Sequence, residues 1–296
     1  GRPVAELDWS EINKVIADIK SKNLDTVAIS AAFSPMTSQP ELDVAAQLRR
    51  AIPEVNITCS HSLGRLGLLE RENAALLNAS LLKFADSVVT AFTDALRQRG
   101  LKCRFFVSQN DGTLMDAEFV RQFPALTFAS GPTNSLRGAC KLTGLNDAIV
   151  VDLGGTTADI GILQGGFPRE SNVVIDVGGV RTNFRMPDIL SLGLGGGSLV
   201  TDEGRSIGPE SVGHNLVTQG LAFGGSVMTA TDLLVAAGKT TIGPNQSPVR
   251  LPTQTIENGL RTIASMLNQG IEKMMPSSDP MPVILVGGGA ILVADK

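Results

Sequence analysis

Two carboxylates, Asp152 and Asp159, bracket the turn Gly154-Gly155-Thr156-Thr157 in the stretch VVDLGGTTADIGIL, Val150 to Leu163. Apolar residues flank the turn on both sides, so it reads as the junction of two buried strands. Glycines let a phosphate approach consecutive backbone N–H groups, because no Cβ stands in the way. Thr156 and Thr157 add hydroxyl donors. Asp152, at a strand end, can hold Mg²⁺ through water, since this ion keeps much of its hydration shell. Asp159 can orient the same hydrated ion or polarise a water. The two acids are therefore the candidate catalytic residues, with Asp152 also the candidate metal ligand. The competing reading is an ordinary hairpin, with Asp152 capping the turn and Asp159 solvated.

Two further glycine triplets follow predicted strands: Gly195-Gly196-Gly197 and Gly287-Gly288-Gly289. Three such turns, one flanked by acids, point to a nucleotide site. The chain contains no G-x-x-x-x-G-K-[ST] loop, and no G-x-G-x-x-G opens a helix.

The elements that must position these turns follow from hydrophobic spacing. Helices are expected over Glu6–Lys22, Glu41–Ile52, Leu66–Arg99 (one helix or two), Thr133–Thr143, Thr231–Ala237 and Thr255–Met275. Strands are expected at Thr26–Ser30, Val55–Ser60, Cys103–Ser108, Ala148–Leu153, Asp159–Leu163, Asn172–Gly179 and Pro282–Val293. The strands around Gly154 and Gly165 are read as antiparallel neighbours, and Pro187–Pro209 as loop. Alternating strands and helices mean α/β. A shift in composition near Asn146 divides the chain into 1–145 and 146–296.

Bulk properties bound the rest. The 296 residues carry a net charge of −4 without long runs, which argues against nucleic acid as a partner. No apolar run approaches the roughly 20 residues of a membrane helix, and no signal peptide is visible. Cys59, Cys103 and Cys140 form no CxxC pair and read as reduced, mostly buried thiols of a cytoplasmic protein. Two histidines and scattered cysteines make a zinc site improbable. His61 stands beside Ser60 at a strand end, in a structural or a cleft-facing role. His214 is a weaker functional candidate than His61, and Asp202, Glu203 and Arg137 are read mainly as surface residues.

The segment DLGGTTAD resembles the second phosphate motif of the actin-like ATPase superfamily, and VILVGGGA its adenosine motif. More narrowly, ITCSH, ERENAALLNASL, ASGPTNSLRGA, LSLGLGGGSLV, GPESVG and TATDLLVAAG occur in the order of the hydantoinase/oxoprolinase family. The resemblance implies an actin-like ATPase (ribonuclease H-like) two-domain fold with a nucleotide cleft. It implies ATP and Mg²⁺ as cofactors, a small cyclic amide such as a hydantoin or 5-oxoproline as substrate, and hydrolysis driven by ATP. A partner hydantoinase subunit and a homo-oligomer are further expectations. A small-metabolite kinase, an ATP-dependent carboxylase subunit and a non-catalytic nucleotide-binding module stay open. The family's first D-x-G-G-T turn and its closing helix have no counterpart here. The chain thus reads as an internal fragment, truncated at both ends and expected to fold without turning over ATP at an enzymatic rate.

Overall fold

The computed structural model describes residues 6–171, 174–243, 246–277 and 279–293. The chain divides into two compact units: one from the described residues of Gly1–Ser130 with Glu170–Met186, the other from Gly131–Arg169 with Pro187–Lys296.

The first unit opens with helix α1 (Trp9–Ser21), which Asp8 starts by accepting hydrogen bonds from the Ser10 and Glu11 amides. Strand β1 (Thr26–Ile29), helix α2 (Gln39–Ala51) and strand β2 (Asn56–Cys59) follow. β1 and β2 pair in parallel, as a crossover through a helix requires. Leu66–Arg99 resolves to one helix, α3 (Leu68–Gln98). Against the expectation of no long apolar run, α3 contains an 18-residue window of mean hydropathy 1.3, enough by length and composition to cross a membrane. Its Ala74, Ala75, Asn78, Ala79, Leu82, Ala85 and Val89 are buried, while only 33% of that window is buried in all. Cys103–Ser108 shortens to β3 (Phe106–Ser108), leaving Cys103 exposed rather than buried; β3 pairs with β4 (Leu114–Asp116), followed by α4 (Ala117–Gln122).

The second unit is built on a central sheet. Helix α5 (Ser130–Thr143) leads into β5 (Ala148–Leu153) and β6 (Ala158–Gln164), with a short β7 (Phe167–Pro168) beside β6. The second compact unit begins at Gly131 in α5, whose Leu136 and Ala139 pack with Ala148, Val150 and Leu163. The chain then leaves for the hairpin β8 (Ile175–Val177) and β9 (Val180–Thr182), which belongs to the first unit. The strand expected at 172–179 is therefore no neighbour of β6, and residues 172–173 lie outside the described residues.

The stretch 187–209, expected as loop, contains β10 (Ile189–Leu192), β11 (Ser198–Thr201) and the start of β12 (Ser206–Ser211). β10 and β11 are four residues each and are separated by a glycine run, and Gly208 and Pro209 interrupt β12, so none is long enough to show a period-two pattern in sequence. Helices α6 (Leu216–Gln219), α7 (Ala230–Ala236) and α8 (Thr253–Met274) precede β13 (Val283–Val286), shorter than the Pro282–Val293 expected.

The sheet runs β10–β6–β5–β13, with β13 parallel and the other pairs antiparallel. Ile149, Val151 and Leu153 face a core shared with Leu233, Ile263 and Leu267, while Ala148 and Val150 face α5. Burial on both faces explains why β5 reads as a continuous apolar run. Gly270 of α8 lets the helix approach the sheet: a Cβ there would stand 2.5 Å from Ile160 Cδ1.

Candidate functional site

Strand register puts Asp152 and Asp159 directly opposite each other. The same row continues to Val286 on β13 and Ser191 on β10. Directly paired residues hold their Cβ atoms about 4.5–5.5 Å apart, and like charges so placed are destabilising. Two serines offset part of that repulsion. Ser135 Oγ, on α5, donates to Asp152 Oδ2 at 2.5 Å, and Ser191 Oγ donates to Asp159 Oδ1 at 2.5 Å. The remaining oxygens, Asp152 Oδ1 and Asp159 Oδ2, accept no hydrogen bond from a described residue. Two half-buried carboxylate oxygens on one face of adjacent strands suit a hard divalent cation such as Mg²⁺.

All three glycine turns meet beside this pair. Gly196 N donates to Gly154 O at 3.1 Å and Gly197 N to Gly155 O at 2.7 Å. A Cβ on Gly195 would lie 2.5 Å from Thr156 N and 2.6 Å from Gly155 C. The second triplet thus serves first to bring backbone against backbone. Its other side is held by α7, where Thr231 N and Oγ1 donate to Gly196 O at 2.9 and 2.8 Å. The third triplet behaves alike: Gly289 N donates to Leu153 O at 2.8 Å. Gly287 has φ +85°, and its missing Cβ makes room for Asp152 Oδ1 and the Leu153 carbonyl.

A smaller set remains open. Gly155, Thr156 and Thr157 are exposed, and a Cβ on Gly155 or Gly288 would meet nothing within 4 Å. Gly154 is tied into the turn by its N–H to Thr157 O at 2.9 Å, whereas the Gly155 and Thr156 amides find no acceptor among the described residues. Free N–H groups, hydroxyls and two open carboxylate oxygens are the donor set that a phosphate with its cation needs.

This division gives a mutational contrast. Gly155→Val and Gly288→Val should leave folding intact but weaken ATP binding at least about tenfold, the worth of one hydrogen bond to a charged group. Gly195→Val should instead destabilise the protein by about 1–3 kcal/mol through overpacking. Calorimetric ATP titration beside thermal melting checks both; wild-type affinity in the first two variants removes those positions from the site.

The other sequence candidates separate cleanly. Arg137 donates to the Gly166 carbonyl and lies 4.0 Å from the Phe167 ring centroid, so it braces the β6–β7 turn. Asp202 and Glu203 are exposed and approach Arg205 at 3.5 Å, as a solvated loop would. His214 is exposed. His61 lies in the first unit, its Nδ1 2.7 Å from Glu41 Oε2. Sequence reasoning missed Ser135, Ser191, Glu41 and Arg71. Ser191 emerges only once β10 is registered against β6, and Glu41 sits on a different element from the histidine it holds.

Comparison with known proteins bears on these arrangements. The model of the hydantoinase/oxoprolinase family matches residues 71–276. The alpha subunit of caprolactamase from Pseudomonas jessenii is 27% identical over 92% of this chain and 40% of its own length. The gamma subunit of acetophenone carboxylase from Aromatoleum aromaticum is 25% identical over 80% of this chain and 34% of its own. The crystal structure of the ATP-dependent caprolactamase of Pseudomonas jessenii superimposes with a TM-score of 0.77 at 24% identity, covering 98% of this chain and 46% of that one. The chain therefore spans roughly two fifths of the length of these relatives. The overall likeness agrees with a fold of the actin-like ATPase type.

Proposed function

Since the chain belongs to the hydantoinase/oxoprolinase family, we propose that the glycine turns of the second unit hold Mg-ATP and that the protein uses it to open a small cyclic amide by hydrolysis. The observation that carries this reading is the pairing of two carboxylate oxygens with a turn whose Gly155 and Thr156 amides have no acceptor among the described residues. An amide is a poor electrophile, and phosphorylation of its oxygen by ATP makes it open to attack by water. Asp152 and Asp159 would hold Mg²⁺ and orient its water ligands. The Gly155 and Thr156 amides, with the Thr156 and Thr157 hydroxyls, would donate to phosphate oxygens. Gly288 would leave room for the adenosine. Preorganised donors of this kind stabilise charge developing on a transferring phosphoryl group.

A second reading, ATP-dependent carboxylation, is favoured by the likeness to a subunit named for acetophenone carboxylase. Both relatives are named as subunits, which supports a partner chain for this protein as well. Leu69, Leu76, Phe84 and Phe92 of α3, half or more exposed, supply apolar surface for one. The test is phosphate release with Mg-ATP and either hydantoin or 5-oxoproline, with product mass measured. A ring-opened product formed in step with phosphate supports hydrolysis. A product heavier by a carboxyl group, formed only with bicarbonate, establishes the second reading, and ATP that fails to bind at all removes both.

A further inference from the structure

The first unit contains a polar centre that the glycine turns do not use. Glu41, on α2, is fully buried. Its Oε1 accepts from the Ala31 amide at 2.9 Å and from Ser60 Oγ at 2.5 Å. Its Oε2 accepts from the His61 amide at 3.0 Å and from His61 Nδ1 at 2.7 Å. Two donors on each oxygen fill the carboxylate. Cys59 Sγ completes a trio of donor atoms lying within 4.8 Å of one another, the spacing of a metal site. Glu41, however, has no lone pair left for a cation. Burial and the Glu41 charge also push the Cys59 thiol up, away from the thiolate a metal takes. What the arrangement does is fix an imidazole. With Nδ1–H given to a carboxylate, ring orientation and tautomer are set and Nε2 is presented elsewhere. No described residue hydrogen-bonds Nε2.

His61 lines a cavity of about 290 Å³. The cationic side chains in its wall are Arg49 and Arg121, and no carboxylate lines it. Arg121 is already engaged by Asp86 and Glu118, while Arg49 has no ion-pair partner among the described residues. Leu42, Ile57, Leu82 and Phe123 supply an apolar wall. The volume sits at the lower end for small-molecule sites, about 300 Å³ and upward.

We propose that this cavity is a second small-molecule site, separate from the glycine turns, which takes a small organic carboxylate with a short apolar tail. Arg49 and the Nε2 edge of the His61 ring meet the carboxylic acid group, the apolar wall takes the tail, and Glu41 is the positioning residue. The proposal does not depend on nucleotide binding by the second unit, so either can fail alone.

Butyrate titrated into protein labelled with ¹⁵N-histidine tests it at pH 7, with His61→Gln assigning the resonances. In the wild type, butyrate should move the His61 Nε2 resonance saturably toward its protonated limit, and n-butylamine should not. Arg49→Leu, at an exposed position, should weaken the butyrate effect at least about tenfold. Glu41→Gln should mix the two tautomers and lose the response; if that variant does not fold, the Arg49→Leu arm still decides. Three outcomes overturn the proposal. One is no saturable shift with butyrate, and another is an equal response to n-butylamine or inorganic phosphate. The third is a stoichiometric shift of the His61 ring by Zn²⁺, which would make the trio a metal site.

Discussion

In a chain extended to the length of its relatives, Asp152→Asn and Asp159→Asn should each lower ATP-dependent turnover by at least about 10²–10³, the usual loss when one preorganised charge-stabilising group is removed. Each substitution keeps the shape and an oxygen that Ser135 or Ser191 can still donate to, but takes away the negative charge a divalent cation requires. The two acids face each other across one register position, so on the proposed reading they would act on the same ion and water. The double variant should therefore lose little more than either single one, because residues acting as a unit are non-additive. Stability should stay level or rise, since a like-charge cross-strand pair is relieved. Phosphate release and thermal melting, measured side by side, check both halves. Near wild-type turnover in the two single variants would show that the acids merely cap an ordinary hairpin.

The second large effect concerns the first unit. Arg71 is 1% exposed and its guanidinium joins separate segments. Nε donates to Ser60 Oγ at 3.0 Å, one terminal nitrogen to Ala31 O at 2.5 Å, and the other to Arg65 O and Gly67 O at 3.2 and 3.3 Å. Ser60 in turn donates to Glu41, so the buried acid and the buried base share one network. Arg71→Leu should cost about 3–5 kcal/mol, because it leaves the part-buried carbonyls of Ala31, Arg65 and Gly67 without their donor, at about 1–3 kcal/mol for each group left unpaired. The single tryptophan, Trp9, lies on α1 in this unit, so urea unfolding followed by its fluorescence reads the loss. A cost below about 1 kcal/mol would mean that the network is water-accessible and weakly coupled.

Acid should reach the same network. Burial raises the Glu41 carboxyl, but hydrogen bonds from Ser60, the His61 amide and the His61 ring outweigh it and hold it below the ordinary glutamate value. A depressed folded-state value contributes stability that is present above the unfolded value and disappears as pH falls through the folded one. Unfolding of the first unit should thus become easier on acidification below the ordinary glutamate range, and Glu41→Gln should flatten that dependence.

Much of the second unit was legible because its signals are local. The apolar run Ala148–Leu153, the glycine turn and the apolar stripe of α8 each specify an element within a few residues. The family resemblance, carried by short segments in order, also held. The strands β10, β11 and β12 were not legible, because strands of four to six residues set around a glycine run gain their identity from pairing partners rather than from their own pattern.

The candidate site divides along the same line. That Asp152, Asp159 and three glycine turns belong together could be read from residue types, since glycine is the residue that close approach demands. Which glycines face outward could not. Gly195 and Gly287 are packed against Gly155 and Leu153, while Gly155 and Gly288 stay open, and nothing in a run of glycines distinguishes the two fates. Ser191 opposes Asp159 only through strand register, and Glu41 reaches His61 only because α2 packs beside the end of β2. Composition and spacing announce where a backbone can come close to something. Long-range packing chooses what it comes close to, because register and burial depend on partners far along the chain.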